Sequence, residues 1–421
     1  MRQMLEKHVR LTAIYFVALA VSLPIALLNI SKLVALVTAL MLLVSSRADK
    51  QALAVHRLWP MRLIGAAFVL FWISAFWSTG KTAEIFKSVA QHGNLLIIPI
   101  MYYLVRSGRE ATVALSIYFV GQLFLILSTC ALYLHVPLPW KLTDEGQPYA
   151  VFSSYLDQPI MTAVFAAIAW HLRELLPQRG RNLYAGLIIC LTLGVIFFIF
   201  IGRTGHLVGL SLLTLAAFWE MPRRFRPAIV LVPLIISVLA LSFSPIVAER
   251  FLTAKSEMQV AIQRGNATSD LTTSTGIRLN FWANSIEAIK NSPWTGYGAG
   301  SWNSQYNAIQ KRIAGDSFVE VSANSHQEYL FWGVELGLPG VALLLAIIFS
   351  FFRLSNIMQE SSRRATQSVL VAIVIACLFN CALFDAYIGD YLCIALAFVI
   401  CYGLKPTDKQ TESSPDLAPK I

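Results

Sequence analysis

The chain has 421 residues, of which 57% are hydrophobic and only 13% charged, and it carries a formal net charge of +10. Mean hydropathy is +0.63, well above the balance of an ordinary soluble domain. This excludes a soluble enzyme, a disordered chain and a fibre, and it makes the basic excess a topology signal before it is a nucleic-acid signal.

A bilayer core needs about 20 apolar residues per helix. Twelve stretches meet or approach that length: 11–28, 30–44, 61–79, 89–105, 111–134, 158–176, 183–201, 205–219, 228–248, 329–352, 366–383 and 391–403. The expectation is an all-α polytopic membrane protein with about twelve transmembrane helices. Segments 205–219 and 391–403 are the shortest. The first segment lacks a small-residue cleavage site and is followed at once by a second apolar run, so it reads as a span and not as a cleaved signal peptide.

Basic residues cluster on alternate turns, from Arg2, Lys7 and Arg10 through Arg106 and Arg109 to Lys405, Lys409 and Lys420. Twenty-one of the 33 lie on the side of the termini, which predicts that both termini are cytoplasmic. No nucleic-acid partner is needed to explain them. The six cysteines all sit in apolar segments without metal-ligand spacing, so neither a disulfide framework nor a metal site is implied. Residues 404–421 are polar and Pro/Ser-containing and read as a disordered cytoplasmic tail.

The organisation is therefore nine spans over 1–248, an external loop of about 80 residues over 249–328, three spans over 329–403, and the tail. A loop that long without a role is uncommon. Within it, Ile277, Phe281, Trp282, Ile286 and Ile289 recur at three- and four-residue spacing. They predict a helix over 277–291, capped by Ser274 or Thr275 and stopped at Pro293. A second helix is expected over 303–313. Both should rest on the membrane interface. A shorter external loop spans 135–157.

Twelve basic residues remain on the external side, among them Lys32, Lys81, Lys87 and Lys141. Most fit solvated or snorkelling side chains. Arg203 and Arg278 stand out. Arg203 lies in the tight Gly202-Arg203-Thr204-Gly205 turn between two apolar runs, where a charge costs about 2.5–3.5 kcal/mol on insertion scales and calls for a partner. Arg278 lies on the first turn of the loop helix, whose amino end also favours anions. Two arginine forks facing one cavity would suit a pyrophosphate. His326, where the loop meets the tenth span, has a neutral form able to accept a proton near physiological pH. Glu335, deeper in that span, is expected to pair inside the bundle and not to react.

These residues resemble the O-antigen ligase family of bacterial inner-membrane glycosyltransferases, within the O-antigen ligase/polymerase superfamily. The resemblance rests on the turn around Arg203, on Arg278 with Trp282 leading into Pro293-Trp294-Thr295-Gly296-Tyr297-Gly298-Ala299-Gly300, and on Ser325-His326-Gln327-Glu328-Tyr329-Leu330 with Glu335, Gly337 and Gly340. Gln327 replaces the commoner Asn. The motif region covers about 200–340.

The family implies a GT-C-type fold with a large periplasmic helical loop. It also implies inverting, metal-independent transfer of a glycan from undecaprenyl pyrophosphate to a sugar hydroxyl of lipid A–core, without a cofactor, at the periplasmic face of the inner membrane. His326 would then be the general base or orienting acceptor. Arg203 and Arg278 would hold the pyrophosphate, with Lys81 and Lys87 as further phosphate contacts. Asp385 or Asp390 would orient His326 or an arginine. An O-antigen polymerase of the same superfamily is the nearest alternative. A twelve-span secondary transporter is the alternative from another class.

Overall fold

A computed structural model describes residues 2–45, 50–141, 149–263, 273–314 and 324–405. Among these the regular elements are helices, with no strand. They are α1 (Arg2–Ala20), α2 (Ile25–Ser45), α3 (Lys50–Arg57), α4 (Trp59–Ser74), α5 (Thr82–His92), α6 (Ile97–Leu104), α7 (Gly108–Tyr133), α8 (Asp157–His171), α9 (Arg181–Phe198) and α10 (Arg203–Glu220). There follow α11 (Leu231–Phe243), α12 (Pro245–Gln263), α13 (Ser274–Asn291), α14 (Trp302–Ala314), α15 (Glu328–Ser355), α16 (Glu360–Phe379) and α17 (Ala386–Leu404).

Each expected apolar segment falls on helix. By length and composition, seven helices can cross a bilayer among the described residues, and a pair bent by 43° around residue 230 makes an eighth if it is one span. The other expected crossings are shorter, broken or charged. Segment 89–105 is divided between α5, a 3₁₀ turn over Gly93–Leu96, and α6.

Three boundaries differ from expectation. The first two spans divide at 21–24, not near residue 29, because Pro24 has no amide to continue α1 and instead opens the first turn of α2. α13 is capped by Thr273, whose hydroxyl accepts from the Gly276 amide at 3.0 Å, in place of Ser274 or Thr275. The start of the long loop is itself helical as α12. The tail beyond residue 405 lies outside the described residues.

The connections sort into two ends. At one end, Arg10 makes a bidentate pair with Glu110 at 2.6 Å, Arg364 meets Glu220 at 3.2 Å, and Tyr402 donates to Glu174 at 3.1 Å. At the other, Asn380 donates to Thr204, the Ser78 hydroxyl to the Ala299 carbonyl, and Asn324 to Asp385. α17 lies at the centre and is almost wholly buried. Asp390 within it pairs with Lys32 of α2 at 2.5 Å, so a charge inside the apolar bundle has its counter-ion.

The segment 292–301 joins the loop helices to the bundle. Gly296, Gly298 and Gly300 all have positive φ (59°, 84° and 73°), and each lies against a different backbone. A Cβ on Gly296 would sit 2.5 Å from the Glu335 carbonyl, one on Gly298 2.5 Å from that of Ser74, and one on Gly300 2.5 Å from that of Glu84. α15 breaks at Gly337 (φ 70°), and the Leu338 amide bonds to the Pro293 carbonyl at 2.7 Å. Only glycine meets both demands, conformation and close approach. Glu335 is fully buried and accepts from the Ser88 hydroxyl and the Gly300 amide, each at 2.7 Å.

Gly298→Ala should therefore lower thermal stability by roughly 1–3 kcal/mol or more. Gly186→Ala, with nothing near its added methyl, should leave melting unchanged or raised. Melting of the detergent-solubilised variants checks both.

Candidate active site

His326 sits in a short segment between α14 and α15. Its backbone is left-handed (φ 48°), a conformation costing a non-glycine residue about 1–3 kcal/mol and retained where surrounding contacts impose it. Asn324 imposes it. Its side-chain oxygen accepts from the His326 amide at 3.0 Å, while its amide nitrogen reaches Asp385 at 3.4 Å. Next in sequence, the Ser325 hydroxyl donates to the Gln327 carbonyl at 2.6 Å. Gln327 caps α15 by accepting from the Leu330 amide, so the larger amide at this position still serves the helix start. The imidazole stacks on Phe281 of α13, with 5.9 Å between centroids and 5° between planes.

Two cavities meet at this ring. One, of about 390 Å³, is lined by Arg203, Arg278, Tyr155, Leu156, Ser274 and His326, among others. Arg203 opens α10 and Arg278 lies on the first turns of α13, so the fold brings together two arginines 75 positions apart at two helix amino ends. Arg203 also donates to the Thr275 hydroxyl at 3.3 Å. Two helix amino ends and two guanidinium forks on the same wall favour an anion.

The second cavity, of about 320 Å³, lies across His326 and is lined by Glu84, Lys87, Gln91, Asn303, Asn324 and Asp385, together with Trp302, Phe331 and Phe384. Asn303 donates to Glu84 at 2.9 Å. Its wall is fixed by the Glu335 joint, since Ser88, Gly300 and Glu335 all line it. Glu328 holds the opposite turn by accepting from the Leu383 and Phe384 amides at 3.0 and 3.2 Å, just ahead of Asp385.

Burial, reinforced by the Arg278 charge, lowers the His326 pKa to about 4, so its ring is neutral near pH 7. Burial, with the charge of Asp157 adding to it and that of Lys87 opposing, raises the Asp385 carboxyl to about 7.

His326, Arg203 and Arg278 thus share one cavity, and Lys87 and Asp385 share the other with His326. Asp385 acts on the His326 segment through Asn324 and makes no direct bond to the ring. Lys81 begins α5 on the surface and lines neither cavity. Asp390 is committed to Lys32 and lines neither. Sequence reasoning missed Asn324, Phe281, Glu84 and Asn303. Asn324 lies two residues before His326 and was legible as a turn former; the others meet the site only through tertiary packing.

Among the described residues, apolar helices of membrane-spanning length define a multi-pass membrane protein with an arginine-lined cavity at one end. Residues 188–345 match the family model described as O-antigen ligase. That segment contains Arg203, Arg278 and His326, and the match supports a place in the O-antigen ligase/polymerase superfamily. No curated protein matches the chain.

Removing the Arg278 charge removes one of the two causes of the low His326 pKa. Arg278→Gln should therefore raise it from about 4 toward the ordinary value of roughly 6.5. Imidazole NMR titration of the solubilised protein checks the direction; an unchanged or lower value would contradict the geometry.

Proposed function

We propose that the chain is an O-antigen ligase. It moves a glycan from undecaprenyl pyrophosphate to a sugar hydroxyl of lipid A–core, across the His326 ring and at the periplasmic face of the inner membrane. The observation that carries this reading is that His326 lines both cavities, one bearing two arginines and the other a polar and aromatic wall. The pyrophosphate belongs with Arg203 and Arg278. The acceptor sugar belongs with Asn303, Lys87, Asp385, Trp302 and Phe384, which supply the hydrogen bonds and apolar surface that sugars use.

In this reading the acceptor oxygen forms a bond to the anomeric carbon as the bond from that carbon to the pyrophosphate oxygen breaks. The electron pair leaves with the pyrophosphate, where the two guanidinium groups offset its charge. The acceptor proton passes to the neutral His326 ring. Attack from one cavity and departure into the other is in-line, so the anomeric configuration inverts. A bound pyrophosphate also compensates the Arg278 charge, which raises the basicity of His326 when the donor is in place.

Twelve crossings, cytoplasmic termini and a GT-C-type arrangement complete the reading. The crossings and termini are supported by the alternation of basic turns and by the grouping of helix connections at two ends, and the GT-C-type arrangement by the family match alone.

With purified protein, lipid-linked glycan and lipid A–core, His326→Ala and Arg278→Ala should each lower transfer by about 100-fold or more while the proteins still melt cooperatively. Normal transfer by either would remove that residue from the mechanism. Chain growth with lipid-linked glycan as sole acceptor would make the protein a polymerase instead.

A further inference from the structure

At the end of α10 opposite Arg203, a third polar cavity, of about 190 Å³, is lined by His171, Arg173, Glu174, Arg181, Glu360 and Arg364. The eighteen residues of α10 place it roughly 27 Å from Arg203 along the helix, so it shares nothing with the site described above. Two features mark it as built to hold something. His171 is only 2% exposed, and neither ring nitrogen has a hydrogen-bond partner. The buried Nε of Arg364 also lacks one. Buried polar atoms are ordinarily paired, so these orphans lining one cavity point to a ligand.

Charge narrows its chemistry. Arg364 pairs with Glu360 at 2.5 Å and Glu220 at 3.2 Å, Arg173 lies 3.8 Å from Glu220, and Glu174 accepts from Ser361 and Tyr402. The lining itself carries three arginines and two glutamates, and Glu220, held by Arg173 and Arg364 just outside it, adds a third carboxylate. A bare anion would have to compete with those carboxylates, whereas a head group carrying both a phosphate and an amine meets partners of both signs.

The cavity also has an apolar neighbour. An open groove of about 270 Å³ runs between α8, α9 and α10, with Ala163, Ala167, Leu193, Gly209, Leu213 and Ala217 among its lining. Small side chains on α8 and α10 leave it unfilled. Trp170 and Glu220 close its lower end. Trp170 precedes His171 and has the Arg173 guanidinium over its ring at 4.7 Å, and Glu220 is the carboxylate that Arg173 and Arg364 share. The apolar groove and the polar cavity thus adjoin across Trp170 and Glu220.

We propose that this composite site binds a zwitterionic glycerophospholipid. Its phosphate lies on His171, Arg173 and Arg364, its ammonium on Glu174 and Glu360, and one acyl chain in the α8–α9–α10 groove. The site does not rest on the transferase reading. Under the proposed topology it faces the cytoplasmic leaflet.

Native mass spectrometry of the full-length protein, with phosphatidylethanolamine or phosphatidylglycerol added, tests it. Phosphatidylethanolamine should be retained preferentially. Arg173→Gln and Ala167→Phe should each weaken retention about tenfold, the effect of losing one charge-assisted or packing contact. Leu36→Ala, on an exposed face of α2, should not. If Ala167→Phe fails to fold, Ala217→Val fills the same groove more gently. Equal or stronger retention of phosphatidylglycerol overturns the zwitterionic assignment. Equal binding of chain-free glycerophosphoethanolamine removes the groove from it. Retention unaffected by both the arginine and the groove substitutions overturns the site.

Discussion

The arrangement depends on one buried carboxylate. Glu335 accepts from the Ser88 hydroxyl and the Gly300 amide at 2.7 Å each, and so joins α15, α5 and the glycine segment deep in the bundle. Breaking one arm would leave a buried polar group unpaired, at about 1–3 kcal/mol or more. The consequences run outward. The glycine segment fixes where α13 ends and α14 begins. α13 brings Arg278 to the cavity and Phe281 under the His326 ring. α5 brings Lys87 and Glu84 to the other side. One joint therefore sets the spacing of both cavities about a single histidine.

Under the proposed reaction, the site's electrostatics favour leaving-group stabilisation over proton abstraction. Burial and Arg278 hold His326 near 4, far below the pH at which a general base is most effective. Charge stabilisation by fixed donors is commonly worth about 2.7–4 kcal/mol for each donor removed, and a pyrophosphate departs without being protonated. Under the proposed reaction, the arginines carry more of the rate than the histidine's basicity, and His326 serves first as a neutral, positioned acceptor. The strained backbone at His326, held by Asn324, is consistent with a ring whose position matters more than its proton affinity.

Much of the helical framework was legible because apolar runs of bilayer length leave the backbone few alternatives. The misplaced first boundary shows the limit of hydropathy alone: residues 11–28 are apolar but for Thr12 and Ser22, and Pro24 with Ser22 marks the turn. Arg203 and Arg278 were conspicuous as charges at helix starts. Asp390 was equally conspicuous, but its partner Lys32 is 358 positions away, and no local pattern discloses such a pair. The Gly296–Gly300 motif was readable as a string of glycines. Its reason, three backbones packed against one short loop, emerges only with the fold. The same holds for the second cavity, whose lining comes from α5, α14, α15 and the turn before α17.

Under the proposed reaction, His326 separates a donor head group from an acceptor. This separation is tested most directly by an experimental structure with a non-reacting undecaprenyl pyrophosphate analogue bound. The proposed reaction places the pyrophosphate between Arg203 and Arg278, with the cavity of Lys87 and Asp385 left open on the far side of the His326 ring. A pyrophosphate seated in the Lys87 cavity, or outside both, would contradict it.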